Sequence, residues 1–281
     1  MPVLHPSTID EVGALLAQFP GATLLSGGTD LMVEVNLHGR RPDTVVALGG
    51  VRELSTWNID LVQRRVTVGS AVPYTDIETG PLADAVPALA QAARTVGSPQ
   101  IRAAGTIGGN LGTCSPAGDT LPVLSALSAD VLISSTDGSR SVPIDSFMVG
   151  VKKNSLRPGE FVTGVQLPLI NGWQGYAKVG TRNAMVISTA SACLVLDRTA
   201  GQVSVALGAV GPVIINCESP CSWLGDEIDL KSSAPSPSLI TEFADRCAAE
   251  ARPITDHRST ADYRRHAVRV IVRRLLERAV S

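Results

Sequence analysis

Two glycine pairs far apart in the chain constrain its fold more than any other feature. The first lies in the loop Ser26-Gly27-Gly28-Thr29-Asp30, after a short apolar strand, and the second lies in Thr106-Ile107-Gly108-Gly109-Asn110. Glycine lets a backbone approach a ligand closely and adopt positive φ, and backbone N–H groups in such turns bind phosphates. Neither loop has the G-x-G-x-x-G spacing of a Rossmann site. Each loop alone also fits an ordinary turn. The presence of both loops, each with a threonine beside the glycines, indicates a phosphate site.

The second glycine pair lies within a long stretch, residues 97–118, that has neither helical nor strand periodicity. We expect this stretch to be irregular, because its apolar residues follow no regular spacing. Its content of Gly, Thr, Asn and Ser, with few charges, favours a loop that wraps a ligand. The alternative is a surface Ω-loop.

The periodicity of the remaining chain predicts an α+β fold. A helix over 7–19 begins with a capping box of Thr8 and Glu11. Further helices are predicted at 85–96, 119–127 (capped by Asp119), 239–251 and 261–279. Strands are predicted at 22–25, 44–48, 64–72, 161–167, 176–180, 186–197 and 203–210, and a hairpin at 130–144 around Asp137-Gly138. A Pro, Asn and Gly cluster near 168–175 predicts a boundary between domains 1–172 (subdomains of about 1–55 and 56–172) and 173–281.

Composition excludes several classes of function. The net charge is −2, and acidic and basic residues are interspersed, so we expect no nucleic-acid partner. We expect no membrane span and no signal peptide, because no apolar run approaches about 18 residues and the first ten residues lack a basic segment followed by an apolar one. The five cysteines are scattered, which indicates a cytoplasmic protein without disulfides. The pair Cys217 and Cys221 alone is a poor metal site, and the four histidines are dispersed.

Both loops resemble the flavin loops of a known family. The first is carried by Leu25-Ser26-Gly27-Gly28-Thr29-Asp30-Leu31. The second is carried by 96–102, by Gly105 to Leu111 and by Ser115-Pro116-Ala117-Gly118-Asp119. Together with Tyr176-Ala177-Lys178, Arg182 and the segment Asp256 to Arg264, they are similar to the FAD subunits of molybdenum hydroxylases. That family includes the xanthine dehydrogenase flavin domain and the medium subunit of molybdenum carbon monoxide dehydrogenase.

The resemblance implies one FAD bound by a two-subdomain domain of the PCMH or vanillyl-alcohol-oxidase type, followed by a C-terminal α+β domain. It implies no catalytic residue and no metal ligand in this chain. The implied cofactor-binding residues are Leu25, Ser26, Gly27, Gly28, Thr29, Asp30, Val96, Thr106, Ile107, Gly108, Gly109, Asn110, Ser115, Asp119, Val162 and Lys178.

Several of these residues have individual roles in the resemblance. The backbones of 26–30 and 106–110 are expected to hold the pyrophosphate, and Asp119 a polar part of the adenosine side. Val96 and Val162 are expected to line the pocket, and otherwise to be ordinary core. Lys178 is expected near the flavin ring, and otherwise as a solvated lysine at a strand edge. Cys114, which departs from the family pattern, reads as a buried inert thiol or as a group near the cofactor.

The resemblance also implies partner subunits. A large subunit would carry the molybdenum cofactor, a small one would carry two [2Fe–2S] clusters, and the assembly would be a dimer of heterotrimers. The chain would take electrons from the clusters and pass them through FAD to an acceptor. Two alternatives stay open: a self-sufficient FAD-dependent oxidoreductase of a related fold, and a scaffold subunit that has lost its cofactor.

Overall fold

The first part of the chain folds around a small parallel sheet. A computed structural model describes residues 2–281. Three strands pair in the order β1-β3-β2, namely β1 (Val3–Leu4), β2 (Thr23–Leu25) and β3 (Val45–Ala47). Helix α1 (Ile9–Gln18) packs on this sheet, and α2 (Leu31–Leu37) follows β2. The predicted cap by Thr8 is confirmed, because its side chain accepts a hydrogen bond from the Glu11 amide, whereas the Glu11 carboxylate accepts from Ser7 instead of closing a capping box with the Thr8 amide. The first glycine loop is therefore the crossing from β2 into α2.

The middle of the chain forms a five-stranded antiparallel sheet in the order β4-β5-β10-β6-β7. The strands of this sheet are β4 (Trp57–Asp60), β5 (Arg65–Gly69), β6 (Asp130–Ser135), β7 (Gly138–Pro143) and β10 (Phe161–Pro168). A separate two-stranded ribbon consists of β8 (Met148–Gly150) and β9 (Lys153–Asn154). The predicted hairpin is confirmed: β6 and β7 pair from Asp130↔Pro143 to Ser135↔Gly138, and Gly138 has a φ of +121°.

Seven short helices lie in the same part of the chain. They are α3 (Tyr74–Ile77), α4 (Gly80–Ala85), α5 (Pro87–Thr95), α6 (Pro99–Ala104), α7 (Ile107–Thr113), α8 (Leu121–Ala126) and α9 (Ile144–Phe147). The expectation of an irregular segment over 97–118 is wrong, because α6 and α7 lie within it. Side-chain caps start both helices: Ser98 accepts from the Ile101 amide and Thr106 accepts from the Gly109 amide.

The last part of the chain is an antiparallel sheet covered by helices. Its strands, in the order β11-β12-β13-β14, are β11 (Gly172–Val179), β12 (Ala190–Asp197), β13 (Gln202–Gly208) and β14 (Ile215–Asn216). The helices are α10 (Glu218–Glu227), which the sequence did not predict, α11 (Pro237–Glu250) and α12 (Ala261–Val280). Strand β12 is buried on both faces: Cys193 and Val195 join the core of the middle part, whereas Leu194 and Leu196 pack with α11 and α12.

Arg264 anchors α12 to this sheet. Its side chain is buried, and its guanidinium donates to the carbonyl oxygens of Thr189 (2.6 Å) and Ala209 (3.0 Å) and to the carboxylate of Asp256 (2.7 Å). Thr189 immediately precedes β12, and the Ala209 amide donates to the carbonyl of Pro116. The C-terminal helix is thus tied to the chain segments that approach the second glycine loop.

Candidate functional site

The fold brings the two glycine loops into direct contact. Ser26 Oγ and Thr106 Oγ1 share a hydrogen bond of 3.0 Å. A Cβ on Gly27 would overlap the carbonyl oxygen of Ala104, so only glycine permits this approach of the two backbones. The Thr113 hydroxyl, at the end of α7, donates to the Asp30 carboxylate at 2.7 Å. Residues 80 or more positions apart therefore form one cradle.

The first loop offers unpaired backbone donors to this cradle. Among residues 2–281, the amides of residues 27–30 donate to no protein acceptor. Gly28 has a φ of +71°, the left-handed region that glycine adopts without strain. Consecutive free N–H groups in such a turn form a concave site for an anion. A pyrophosphate fits this loop.

The second loop offers fewer free backbone donors than the first. Four of its five amides are already engaged: Gly108 donates to Ser70 O (2.9 Å), Gly109 to Thr106 Oγ1 (3.1 Å) and Asn110 to Thr106 O (3.1 Å), while Ile107 donates to Val72 O (3.3 Å). The expected role of the 106–110 backbone at the pyrophosphate stays a prediction, for which the Thr106 amide is the one N–H of this loop without a protein acceptor among residues 2–281. The four engaged amides form the capped first turn of α7 and fasten it to the end of β5.

Gly108 and Gly109 have different structural roles. A Cβ on Gly108 would overlap Ser70, so Gly108 lets α7 pack against the residue that follows β5. A Cβ on Gly109 would meet only one atom, Thr106 Oγ1 at 3.2 Å, and would otherwise point into open space. Because Thr106 Oγ1 also bonds Ser26, that space lies at the junction of the two loops. Gly109 is thus the glycine whose missing side chain leaves room in the cradle.

Asp119 is the centre of a buried polar network. Its carboxylate accepts from the hydroxyls of Tyr176 (2.8 Å) and Ser188 (2.6 Å) and from Lys178 Nζ (2.6 Å). The side chains of Asp119 and Lys178 are each 9% exposed, and Lys178 Nζ also donates to the carbonyls of Thr95 and Val186. The network joins the second loop to β11 and to the approach to β12.

Two sequence-based interpretations are corrected by this network. Asp119 does not cap α8: the N-cap residue is Thr120, which has no capping side-chain bond, because three donors from elsewhere in the fold hold the Asp119 carboxylate. Lys178 is not a solvated strand-edge lysine, since it is buried in an ion pair. The roles that the resemblance implies, at the adenosine side for Asp119 and near the flavin ring for Lys178, stay predictions.

The other predicted residues differ in their burial and in their contacts within the protein. Val162, on β10, is 7% exposed and Val96 is half-buried, and both pack in the central core, as the ordinary-core interpretation expects. Asn110 Oδ1 accepts from the Thr120 hydroxyl, which links α7 to the start of α8. Leu25 and Ser115 are half-buried and Ile107 is fully buried. Their contacts with a cofactor stay predictions.

Cys114 ends α7 in the left-handed conformation, with a φ of +49°. Its thiol is buried, and burial raises its pKa, so it is not poised to react. These surroundings match the interpretation of Cys114 as a buried, unreactive thiol.

Sequence reasoning missed three residues beside the cradle: Ser70, Tyr74 and Ser188. Tyr74 is the first residue of α3, and its amide donates to the carbonyl of Gly105 at 3.0 Å. The preceding Pro73 forms an isolated antiparallel bridge with Thr106. The signal for Tyr74 was weak: a Pro-Tyr pair just after a predicted strand, in a chain with only three tyrosines.

The described part of the chain shows neither a metal cluster nor a membrane helix. Within residues 2–281, no group of three or more His, Cys, Asp or Glu side chains is placed to hold a metal ion. No helix in that range combines the length and the apolar character needed to cross a bilayer.

Comparisons with known proteins show which family the chain is similar to. Residues 1–170 match the family described as the FAD binding domain in molybdopterin dehydrogenase, and residues 176–279 match the CO dehydrogenase flavoprotein C-terminal domain. The chain is 30% identical over 286 residues to the nicotine 6-hydroxylase medium subunit of Paenarthrobacter nicotinovorans, covering 98% of this chain and 95% of that relative. It is 29% identical over 248 residues to the glyceraldehyde dehydrogenase medium chain of Sulfolobus acidocaldarius, covering 88% and 86%.

A solved structure extends this similarity to three dimensions. Carbon monoxide dehydrogenase from Hydrogenophaga pseudoflava, in a form that lacks the Mo-pyranopterin moiety, contains a chain that superimposes with a TM-score of 0.89 at 26% identity. The match covers 99% of this chain and 96% of that chain.

Proposed function

Because this chain belongs to the family of FAD-binding medium subunits of molybdenum hydroxylases, we propose that it is the electron-transfer link of a heteromeric dehydrogenase. In this proposal it receives electrons from the [2Fe–2S] clusters of a small subunit and delivers them through FAD to an acceptor. A large molybdopterin subunit oxidises the organic substrate, and the assembly is a dimer of heterotrimers.

The contact between the two loops carries the proposal. The free amides of residues 27–30 and the space beside Gly109 meet at the Ser26–Thr106 hydrogen bond. Donors from the first loop and the Thr106 hydroxyl hold the pyrophosphate there. Bound FAD supplies the redox chemistry, since it accepts electrons one or two at a time.

The protein's remaining tasks are to position the cofactor and to exclude water. Gly27 and Gly108 bring the loops together, and the Asp119–Lys178 pair fixes the second loop against β11. The pair is neutral as a unit, so it adds little net field to the site. Placing fixed polar groups in a buried site costs no reorganisation when the charge of the cofactor changes.

Isolation of the tagged chain from its native host tests the proposal. We expect the chain to co-purify with two partner subunits and to contain FAD, molybdenum and iron at about 1:1:4, because two [2Fe–2S] clusters hold four irons. Substrate turnover is then compared between this complex and the chain expressed alone. A chain that is isolated without molybdenum and iron, or that turns over substrate alone at the rate of the complex, would favour a self-sufficient flavoenzyme.

A further inference from the structure

Helix α2 is mostly apolar, yet it buries none of its residues. Five of its seven residues are Leu, Met or Val, and none of them is buried. Met32, Val33 and Leu37 are exposed, Leu37 to 76%. A surface helix normally packs its apolar face against the protein, so residues 2–281 leave this face without its usual cover.

The ribbon of β8 and β9 adds further exposed apolar side chains beside α2. Val149 and Val151 are 59% and 57% exposed. Lys152, in the turn of the ribbon, reaches Glu34 on α2, with 3.9 Å between Nζ and Oε1. Clustered apolar groups on a surface are typical of a protein–protein interface. We call the exposed apolar residues of these two elements the α2–ribbon surface: Met32, Val33, Leu37, Val149 and Val151.

Both elements of the α2–ribbon surface are attached to the cradle. Helix α2 directly follows the first glycine loop. The ribbon holds the end of α7, because the Asn154 amide group donates to the carbonyl of Gly112 and the Lys152 backbone amide donates to the carbonyl of Cys114, each at 3.1 Å. A protein seated on this surface therefore lies next to the elements that form the cradle.

Positive charge flanks the α2–ribbon surface. Residues 31–43 and 148–157 contain five Lys or Arg residues and two carboxylates, a net charge of +3 in a chain whose total is −2. A [2Fe–2S] cluster bound by four thiolates is negative in both oxidation states, because its thiolates and sulfides carry more charge than its irons. An iron–sulfur subunit therefore matches this surface in charge, and it is the partner that has to lie close to FAD.

We propose that the α2–ribbon surface docks the small [2Fe–2S] subunit, so that electrons enter FAD from this side of the cradle. The inference rests on the proposed function and names the surface through which that function works. The apolar residues form the centre of the contact and the basic residues form its rim, as in other protein interfaces. Because the rim attracts a negatively charged partner, the affinity should fall as the salt concentration rises.

Two double variants test the docking surface. Leu37→Glu with Val149→Glu places charge at its centre, and Leu61→Glu with Val62→Glu is the control, because these apolar residues of the β4–β5 turn are at least as exposed. The small subunit that co-purifies with the chain is titrated, with its clusters, into each FAD-loaded chain. We expect the first double variant to bind it at least about a hundredfold more weakly, and the control to bind like the wild type.

Electron transfer gives a second readout of the same contact. The small subunit is reduced, freed of excess reductant and mixed with the chain, and the loss of flavin absorption is followed. At limiting concentration this loss should be much slower in Leu37→Glu with Val149→Glu, while its FAD content and melting temperature match those of the wild type. If that variant loses FAD, the milder pair Leu37→Ser with Val149→Ser should still weaken binding about tenfold.

Unchanged affinity for the small subunit would overturn the inference. A defect confined to binding of the large subunit, or to self-association of the chain, would also overturn it, because the surface would then belong to another occupant. A wild-type chain that binds no [2Fe–2S] subunit at all would instead refute the proposed function, so the two failures are distinguishable.

Discussion

The Asp119 carboxylate shows how one residue can hold two parts of this molecule together. It accepts hydrogen bonds from Tyr176, Lys178 and Ser188, all from the C-terminal sheet and its approach. A buried charge without its partner is strongly destabilising, whereas removal of both charges of a buried pair is often tolerated.

This arrangement predicts the effect of Lys178→Met on stability. The variant leaves Asp119 buried without its cation, so we expect a loss of about 3 kcal/mol or more in the free energy of unfolding. The double variant Asp119→Asn with Lys178→Met should recover much of that loss. Urea denaturation of the apoproteins measures both. If Lys178→Met were as stable as the wild type, the Asp119–Lys178 ion pair would not contribute to the free energy of unfolding in this way.

Glu160 is one residue whose charge makes stability depend on acid pH. Arg140 holds its carboxylate through two hydrogen bonds of 2.6 and 2.7 Å, and the Arg157 amide adds a third of 2.7 Å. The side-chain bond from Arg140 is the main cause that lowers the pKa of Glu160 from 4.5 to about 2. The stabilisation is therefore complete above pH 4.5 and is lost as pH falls through about 2.

Accordingly, Glu160→Gln should lower the melting temperature by a few degrees at neutral pH. The difference from the wild type should shrink between pH 4.5 and about 2, where the wild-type carboxylate becomes protonated. Glu242→Gln is the control, because Glu242 forms an exposed i,i+4 pair with Arg246 that contributes little. A difference that stays constant down to pH 2 would contradict this account.

Helix α7 explains why the second loop was recognisable in sequence while its conformation was not. Three of its seven residues are glycine, which lowers helix propensity. Two non-local contacts compensate: Gly108 packs on Ser70, and Thr106 bonds both the Gly109 amide and Ser26. The motif residues can be read from the sequence, but these contacts cannot.

Elements with local signals were predictable. The capping residues of α1 and the Asp137-Gly138 turn fixed a helix and a hairpin close to their observed ends. The capping role of Asp119 failed for the opposite reason, since its partners lie 57 to 69 residues away. Tyr74 was missed for the same reason, because its importance comes from a loop contact and not from its neighbours in the chain.

A pair of glycine variants in α7 tests the cradle. Gly109→Val places a branched side chain at the junction of the loops, so FAD binding should fall at least about a hundredfold. Gly112→Val is the control: it carries the same helix penalty, but a Cβ there meets nothing within 4 Å. Titration of both apoproteins with FAD measures the difference. Equal affinities would show that the space beside Gly109 is not part of the cofactor site.

All three parts of the chain contribute to the cradle or to its support. The small parallel sheet presents residues 26–30 and the middle part presents α7, while Lys178 on β11 and Ser188 before β12 hold Asp119. Because β12 is buried on both faces, the last part shares a core with the middle part. The predicted boundary at 172/173 falls at the start of β11 and stays a prediction.

The central claim is that this composite cradle holds one FAD without a covalent bond. The most direct measurement reconstitutes the purified chain with excess FAD, removes free flavin and precipitates the protein in acid. The account predicts one FAD per chain, with all of the flavin released into the supernatant. A colourless chain, or flavin that stays with the precipitated protein, would contradict it.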